Sequence, residues 1–244
     1  MFHSIGKKIV LLDEVDSTNN FAAKLLLEGK LVPGTVIMAD HQTEGRGQRT
    51  AVWVSDAGEN MLFSVIFEHD NMAVANQFQL SQMIALSIVH FLRKIGIPAK
   101  IKWPNDVLVN KKKIAGVLIE NQLAGGLVRS SVVGIGINAN QLQFEITTAT
   151  SIRKELDEFK PIQELLYQFI GSFNELTEKI HSQEELQSNY LQELFGYKEI
   201  LQYEDDQGEF AGEIIDVAAD GRLIVLKNGV AVKYDLKEIS LLLV

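Results

Sequence analysis

No cysteine occurs among the 244 residues. That excludes disulfides, thiolate zinc sites and a cysteine nucleophile, and it suits a reducing compartment. No apolar run approaches the length of a membrane span. The opening stretch, Met1 to Lys8, is too short and too polar for a secretory signal. The expectation is a cytoplasmic protein with no membrane partner. The five histidines, His3, His41, His69, His90 and His181, lie far apart with no HxxxH pair, so no metal site built from a side-chain cluster is expected. A Gly-Lys-Ser/Thr phosphate loop and a G-x-S-x-G elbow are both missing. A net charge of −9 argues against non-specific nucleic-acid binding.

What is present describes an ordinary globular chain, 46% hydrophobic and 23% charged, long enough for a substantial core. Its charge is uneven. Arg93 to Lys113 holds seven basic residues and one acid, Asp106, whereas His181 to Glu213 holds nine acids and one base, Lys198. A basic segment in an acidic protein is a place to look for an anionic small ligand.

Hydrophobic patterning predicts strands at Lys7 to Val15, Thr35 to Asp40, Val52 to Ser55 and Asn60 to Phe67. Helical spacing covers Phe21 to Leu27 and Val74 to Ile95. Alternating strands at Ala99 to Trp103, Val107 to Val109, Ile114 to Ile119 and Leu127 to Ile137, joined by short turns, predict an antiparallel meander. Asn138 to Thr150 reads as a polar loop. Helices follow at Ile152 to Phe159, Leu165 to Ile180 and Glu184 to Leu194. Beyond Gly196, short strands are separated by Asp206-Gln-Gly208, Asp220-Gly221 and Asn228-Gly229, which suggests a small barrel-like module. The division expected is residues 1–195 and 196–244.

Four stretches at strand ends carry ligand-competent residues. Ser17 and Thr18 precede a helix and serve either as N-caps or as ligand contacts. Gln42-Thr-Glu-Gly-Arg-Gly-Gln-Arg49 is either a polar connection or a Cβ-free turn that presents arginines to a carboxylate or phosphate. Lys102-Trp-Pro-Asn-Asp106 is good turn sequence and also presents Asn105 and Asp106 rigidly; Trp103 fits a core role. Lys113 directly precedes an apolar strand, so its ammonium either points into a site or sits at a strand edge. Gly134-Ile-Gly-Ile-Asn138 formally fits a dinucleotide fingerprint, but no helix opens there, since a β-like run leads into a polar loop; close packing of a ligand against a glycine strand suits it better.

In order and spacing, Asp16-Ser-Thr-Asn19, Gln42-x-x-Gly-Arg-Gly47, Lys102-Trp-Pro-Asn-Asp106, Lys113-Ile-Ala-Gly116 and Gly134-Ile-Gly-Ile-Asn138 resemble the biotin protein ligases. Ala149-Thr-Ser-Ile152 fits as well. The resemblance implies an α+β fold of the class II aminoacyl-tRNA synthetase/biotin ligase type. Its sheet would be mixed, largely antiparallel and flanked by helices, with a small C-terminal SH3-like β-barrel. It implies ATP with Mg2+ as cofactors and biotin as substrate. Biotin would be activated to biotinyl-5'-AMP and passed to a lysine of a biotin carboxyl carrier protein. Ser17, Thr18, Asn19, Gln42, Gly45, Arg46, Gly47, Gln48, Lys113 and Gly116 would hold biotin. Arg49, Trp53, Lys102, Asn105 and Asn138 would serve ATP. Lys113, Arg46 and Asp106 would be the catalytic set, and Phe144 is the candidate cover for adenine. Many members carry Arg where this chain has Gln48, and a Gly or polar residue where it has Thr50. Catalytic motifs within the first 20 residues imply a monofunctional ligase, without the N-terminal DNA-binding domain of some relatives. A monomer and a homodimer both fit.

Overall fold

In this computed structural model, residues 2–30, 32–48 and 51–242 are described. Seven strands form the main sheet: β1 (Ile9–Val15), β2 (Val36–Gln42), β3 (Met61–Ala73), β4 (Lys100–Lys102), β5 (Asp106–Val109), β6 (Lys112–Ala124) and β7 (Leu127–Ile137). Their order is β1-β2-β3-β7-β6-β5-β4. Only β1 and β2 run parallel; every other pair is antiparallel. The mixed, largely antiparallel sheet and the β4-to-β7 meander match the expectation.

Period-2 alternation decides which face each strand residue serves. Val36, Met38, Phe63 and Val65 join the larger core. There they meet α2 (Phe78–Lys94) and α4 (Ile162–Lys179); Phe63 and Phe91 both lie edge-on to Phe169, with ring centroids 5.1 and 6.2 Å away. Ile37, Ile66 and Val132 point to the opposite face, onto Ala22 of α1 (Thr18–Leu27). That second helix layer covers only part of its face, because α1 is short. The uncovered part is where the glycines lie.

The expected helices all shift at their ends; α1 and α4 begin three residues earlier than expected, and the other three shifts have clear local causes. The helix expected from Val74 begins at Phe78, because β3 continues to Ala73 and a 3-10 turn, Val74–Asn76, intervenes. The helix α3 (Ile152–Leu156) stops short of Phe159 because Asp157 adopts a left-handed φ of 54°. The helix α5 (Gln183–Glu193) opens on Ser182, whose hydroxyl accepts from the Glu185 N–H. The strand expected at Val52 to Ser55 is absent. Among the described residues that segment makes one bridge, Val52 to Arg46, and with no second strand beside them there its valines stay exposed (70% and 62%).

After α5, five short strands make a second sheet: β8 (Ile200–Asp205), β9 (Gly208–Val217), β10 (Leu223–Lys227), β11 (Val230–Tyr234) and β12 (Ile239–Leu241). Its order, β11-β10-β9-β8-β12, leaves β11 and β12 unpaired with each other, so among the described residues the sheet is open and not a closed barrel. This small sheet shares the larger core through Tyr203, Ile214, Val217, Leu223 and Val225. The Trp103 indole N–H donates to the Gly221 carbonyl (2.8 Å), and Gln187 of α5 donates to both Asp216 and the Val217 carbonyl (2.8 Å each). Trp103, half-buried, thus packs against the core and anchors the small sheet to it, in keeping with the core role its sequence position suggested.

Candidate active site

A cleft of about 240 Å³ opens on the α1 side of the main sheet. Cross-strand register builds its floor. One row pairs Leu62 with Gly136, Gly136 with Gly116, and Gly116 with Asp106. The next pairs Ser64 with Gly134 and Gly134 with Leu118, and a third pairs Ile66 with Val132 and Val132 with Glu120. Two adjacent glycines, 116 and 136, therefore make a Cβ-free trough between Leu62 and Asp106. A Cβ on Gly136 would stand 2.6 Å from the Trp53 indole, and one on Gly134 would stand 2.5 Å from Asn19 Oδ1.

A chain of hydrogen bonds frames one end of the trough. Gln42 Oε1 accepts from the Thr18 N–H (2.8 Å) and hydroxyl (3.0 Å). Ser64 Oγ lies 2.7 Å from Thr18 Oγ1 and 2.6 Å from Asn19 Oδ1. The Asn19 amide donates to Glu120 Oε2 (2.7 Å), and the same oxygen accepts from Arg46 (2.7 Å). Ser17, Thr18 and Asn19 are buried. Ser17 occupies the N-cap position of α1 but its hydroxyl makes no capping bond. Instead the Asp16 carboxylate accepts from the Asn20 side chain (2.8 Å) and the Ser17 N–H (2.7 Å). The Asn20 bond is the main cause that holds Asp16 below the ordinary carboxylate range.

The glycine–arginine loop folds back over the trough. Gly47 N–H donates to the Ala51 carbonyl (2.7 Å) and Trp53 N–H to the Gly45 carbonyl (3.0 Å). A side chain on Gly45 would collide with the Trp53 carbonyl, so this close approach requires glycine. Arg49 and Thr50, at the tip, lie outside the described residues. Arg46, Gly47, Gln48 and Trp53 line the cleft. The Trp53 indole N–H is buried and has no partner among the described residues.

Opposite the loop, Lys113 Nζ sits 2.6 Å from Asp106 Oδ1 and 5.5 Å from the Trp53 ring centroid. The backbone of Lys113 is clamped by the polar loop: its N–H donates to the Thr148 carbonyl (2.7 Å), and its carbonyl accepts from the Thr150 N–H (2.9 Å). Asn138 holds that clamp, donating to the Thr150 carbonyl (2.9 Å); it is buried and does not line the cleft. Asn105 lines the cleft while its amide donates to the Val117 carbonyl (2.9 Å). Lys102 lies outside the cleft lining, and Phe144 packs under Lys154, 5.5 Å from its ammonium. Neither is gathered with the rest.

Two members of the hydrogen-bonded frame carried no candidate role in the sequence. Ser64 is the one polar residue within the apolar run Met61 to Phe67, and that interruption was its signal. Glu120 follows the apolar run Ile114 to Ile119 and carries no local signal; only the register brings it to Asn19 and Arg46. Among the described residues no group of three or more His, Asp or Glu stands where it could hold a metal ion.

The Biotin/lipoate A/B protein ligase family model matches residues 11–138, a little over half of the chain. The chain belongs to that family. The matched span contains every described residue that lines the cleft except Lys237, which reaches it from the connection between β11 and β12. Among curated relatives, the bifunctional ligase/repressor BirA of Bacillus subtilis is 38% identical over 138 residues, covering 56% of this chain and 42% of its own length. A biotin–[acetyl-CoA-carboxylase] ligase of Paracoccus denitrificans is 39% identical over 131 residues, 52% of this chain and 53% of that protein. The chain spans about half the length of such curated relatives. Among solved structures, the biotin protein ligase from Aquifex aeolicus in complex with biotin and ATP superposes with a TM-score of 0.77 at 28% identity. That match covers 97% of this chain and 99% of the other.

Proposed function

We propose that this chain is a biotin protein ligase of the biotin–[biotin carboxyl carrier protein] type. It activates biotin with ATP to biotinyl-5'-AMP and pyrophosphate, then transfers biotin to a lysine of a carrier domain. The observation that carries this reading is the Lys113–Asp106 pair standing beside the Gly116/Gly136 trough. Biotin's ring system enters the cleft beside the Trp53 indole that lies on the trough, and its carboxylate reaches Lys113 and Arg46. Those two cations offset the charge that builds as the carboxylate oxygen attacks the α-phosphorus and pyrophosphate leaves. Positioning supplies much of the remainder. In the second step the carrier lysine, losing a proton, attacks the acyl carbon and AMP leaves; Asp106 orients or deprotonates that amine.

Thr18, Ser64, Asn19 and Gln42 present both donors and acceptors. A ureido ring, with N–H groups and a carbonyl, can satisfy such a set, whereas a dithiolane cannot and would leave it unpaired. This favours biotin over lipoate within the family. It also favours an enzyme over a passive biotin-binding regulator, since a sensor needs no lysine–aspartate pair beside the carboxylate. On the nucleotide side the reading uses Trp53, Asn105 and Arg49, with Asn138 acting through the clamp on Lys113. Magnesium enters with ATP as part of the substrate. A cytoplasmic setting and an SH3-like kinship of the small C-terminal sheet belong to the same proposal.

The test is incubation with ATP, magnesium, labelled biotin and a biotin carrier domain. Label on the carrier lysine is expected. ATP–pyrophosphate exchange that required lipoate and ignored biotin would sink the choice of substrate.

A further inference from the structure

We infer that Lys237, delivered by the small C-terminal sheet, binds the polyphosphate of the nucleotide at the edge of the cleft. This rests on the ATP-dependent reading above and assigns a residue outside the span matched by the family model.

Three observations meet at this position. The first is placement. Lys237 lies in the connection between β11 and β12, yet it lines the same cleft as Arg46, Gln48 and Lys113. The second is backbone conformation. Lys237 has φ 71°, in the left-handed region where a residue with a Cβ is disfavoured and glycine is at ease. Such an outlier at a site is a reason to ask what its side chain does. The third is charge. Among the described residues that line the cleft, three are cationic. Arg46 is held by Glu120 (2.7 Å) and Lys113 by Asp106 (2.6 Å). Lys237 alone has no carboxylate on it. The acids next to it in sequence are turned to backbone donors: Glu238 accepts from the Asp235 N–H (2.6 Å), and Asp235 from the Leu236 N–H (2.7 Å).

The chemistry follows from charge count. A monocarboxylate needs one or two cations, and Arg46 and Lys113 supply them. A triphosphate brings several more negative charges. Gln48, also in the cleft, cannot neutralise any of them. An exposed ammonium on a flexible stem is suited to a polyphosphate that must bind and then leave as pyrophosphate.

The full-length chain tests this by biotin-dependent ATP–pyrophosphate exchange. Lys237→Gly removes the cation and relieves the backbone, so its melting temperature should equal or exceed that of the natural chain. Its KM for ATP should rise about tenfold, the size expected for one charge-assisted hydrogen bond, with kcat and the KM for biotin changed less than about twofold. Lys237→Arg should restore the ATP KM. An ATP KM within about twofold of the natural value in Lys237→Gly overturns the inference. So does a change seen only in the KM for the carrier domain, which would make Lys237 a carrier contact. Absence of exchange in the natural chain would overturn the ligase reading and this inference together, whereas exchange indifferent to Lys237 overturns the inference alone.

Discussion

Gln48 is the residue at which this cleft departs most from the pattern its other motifs follow. It lines the cleft but carries no charge, where the resemblance to the biotin protein ligases implies an arginine fork. A neutral amide gives up the charge-assisted part of a phosphate contact, roughly half of its strength. On the proposed function, biotinyl-AMP should therefore leave faster from the natural chain than from Gln48→Arg. Pre-formed labelled adenylate, chased with unlabelled adenylate, measures this; the expected slowing in the variant is about tenfold, and equal off-rates would remove Gln48 from the account. Much of the site at this scale could be read in advance. Ser17, Thr18, Gln42, Arg46, Asp106 and Lys113 announce themselves because polar residues at strand ends beside glycine or proline have few other reasons to be there. Ser64 and Glu120 do not. Each sits in or after an apolar strand run, and their meaning comes from partners 45 and 74 positions away in sequence.

Between strands, the Gly136–Gly116 pair has a single mechanical role: it lets the Trp53 indole lie against bare backbone, where by the proposed function it forms one wall of the biotin site. Gly136→Ala would place a Cβ 2.6 Å from that indole, on a flat strand that cannot retreat without breaking its ladder with β3 and β6. We expect loss of biotin affinity, with a cost of about 1–3 kcal/mol typical of overpacking falling on the bound state, the fold or both. Calorimetric titration together with a melting curve separates the two, and unchanged affinity and melting temperature would refute the close-approach argument. Element types were mostly legible, since period-2 and period-3.6 patterns are strong in β3, α2 and the β5-to-β7 meander. The failure at Val52 to Ser55 is instructive. Alternating valines around a tryptophan satisfy the strand pattern, but a strand needs a neighbour, and there the loop supplies only Arg46. The small sheet marks a similar limit: short strands and hairpin turns specify the ladder from β8 to β11, but closure depends on two edges meeting, which no local pattern encodes.

Across the molecule, the main sheet and the small sheet share one core, tied by Trp103 to Gly221 and by Gln187 to Val217. One cooperative unfolding transition is therefore expected, with both sheets lost together. Its acid limit follows from the carboxylates. Hydrogen bonds from Lys179, then Lys94, hold Glu175 down at about 2. The Lys227 ammonium, then the Tyr234 hydroxyl, hold Asp205 below its ordinary value of 3.8. Both groups have a folded-state pKa beneath the unfolded one, so their contribution is fully present above the unfolded value and drains away as pH falls through the folded one. The melting temperature should decline gently once pH falls below about 6.5, because burial keeps the proton off His69 in the folded state, and then steeply below about pH 4 as the carboxylates protonate; Asp205→Asn should flatten part of the steep fall. Thermal scans across this range check it; no steepening below about pH 4 would assign acid lability to other groups. The chain holds only two tryptophans, one on the cleft floor and one at the joint between the sheets. Its ultraviolet emission is therefore two signals of separate origin: Trp53 reports occupancy of the trough, and Trp103 reports whether the small sheet is still attached. Replacing either indole with phenylalanine turns the protein into its own dye for the other event.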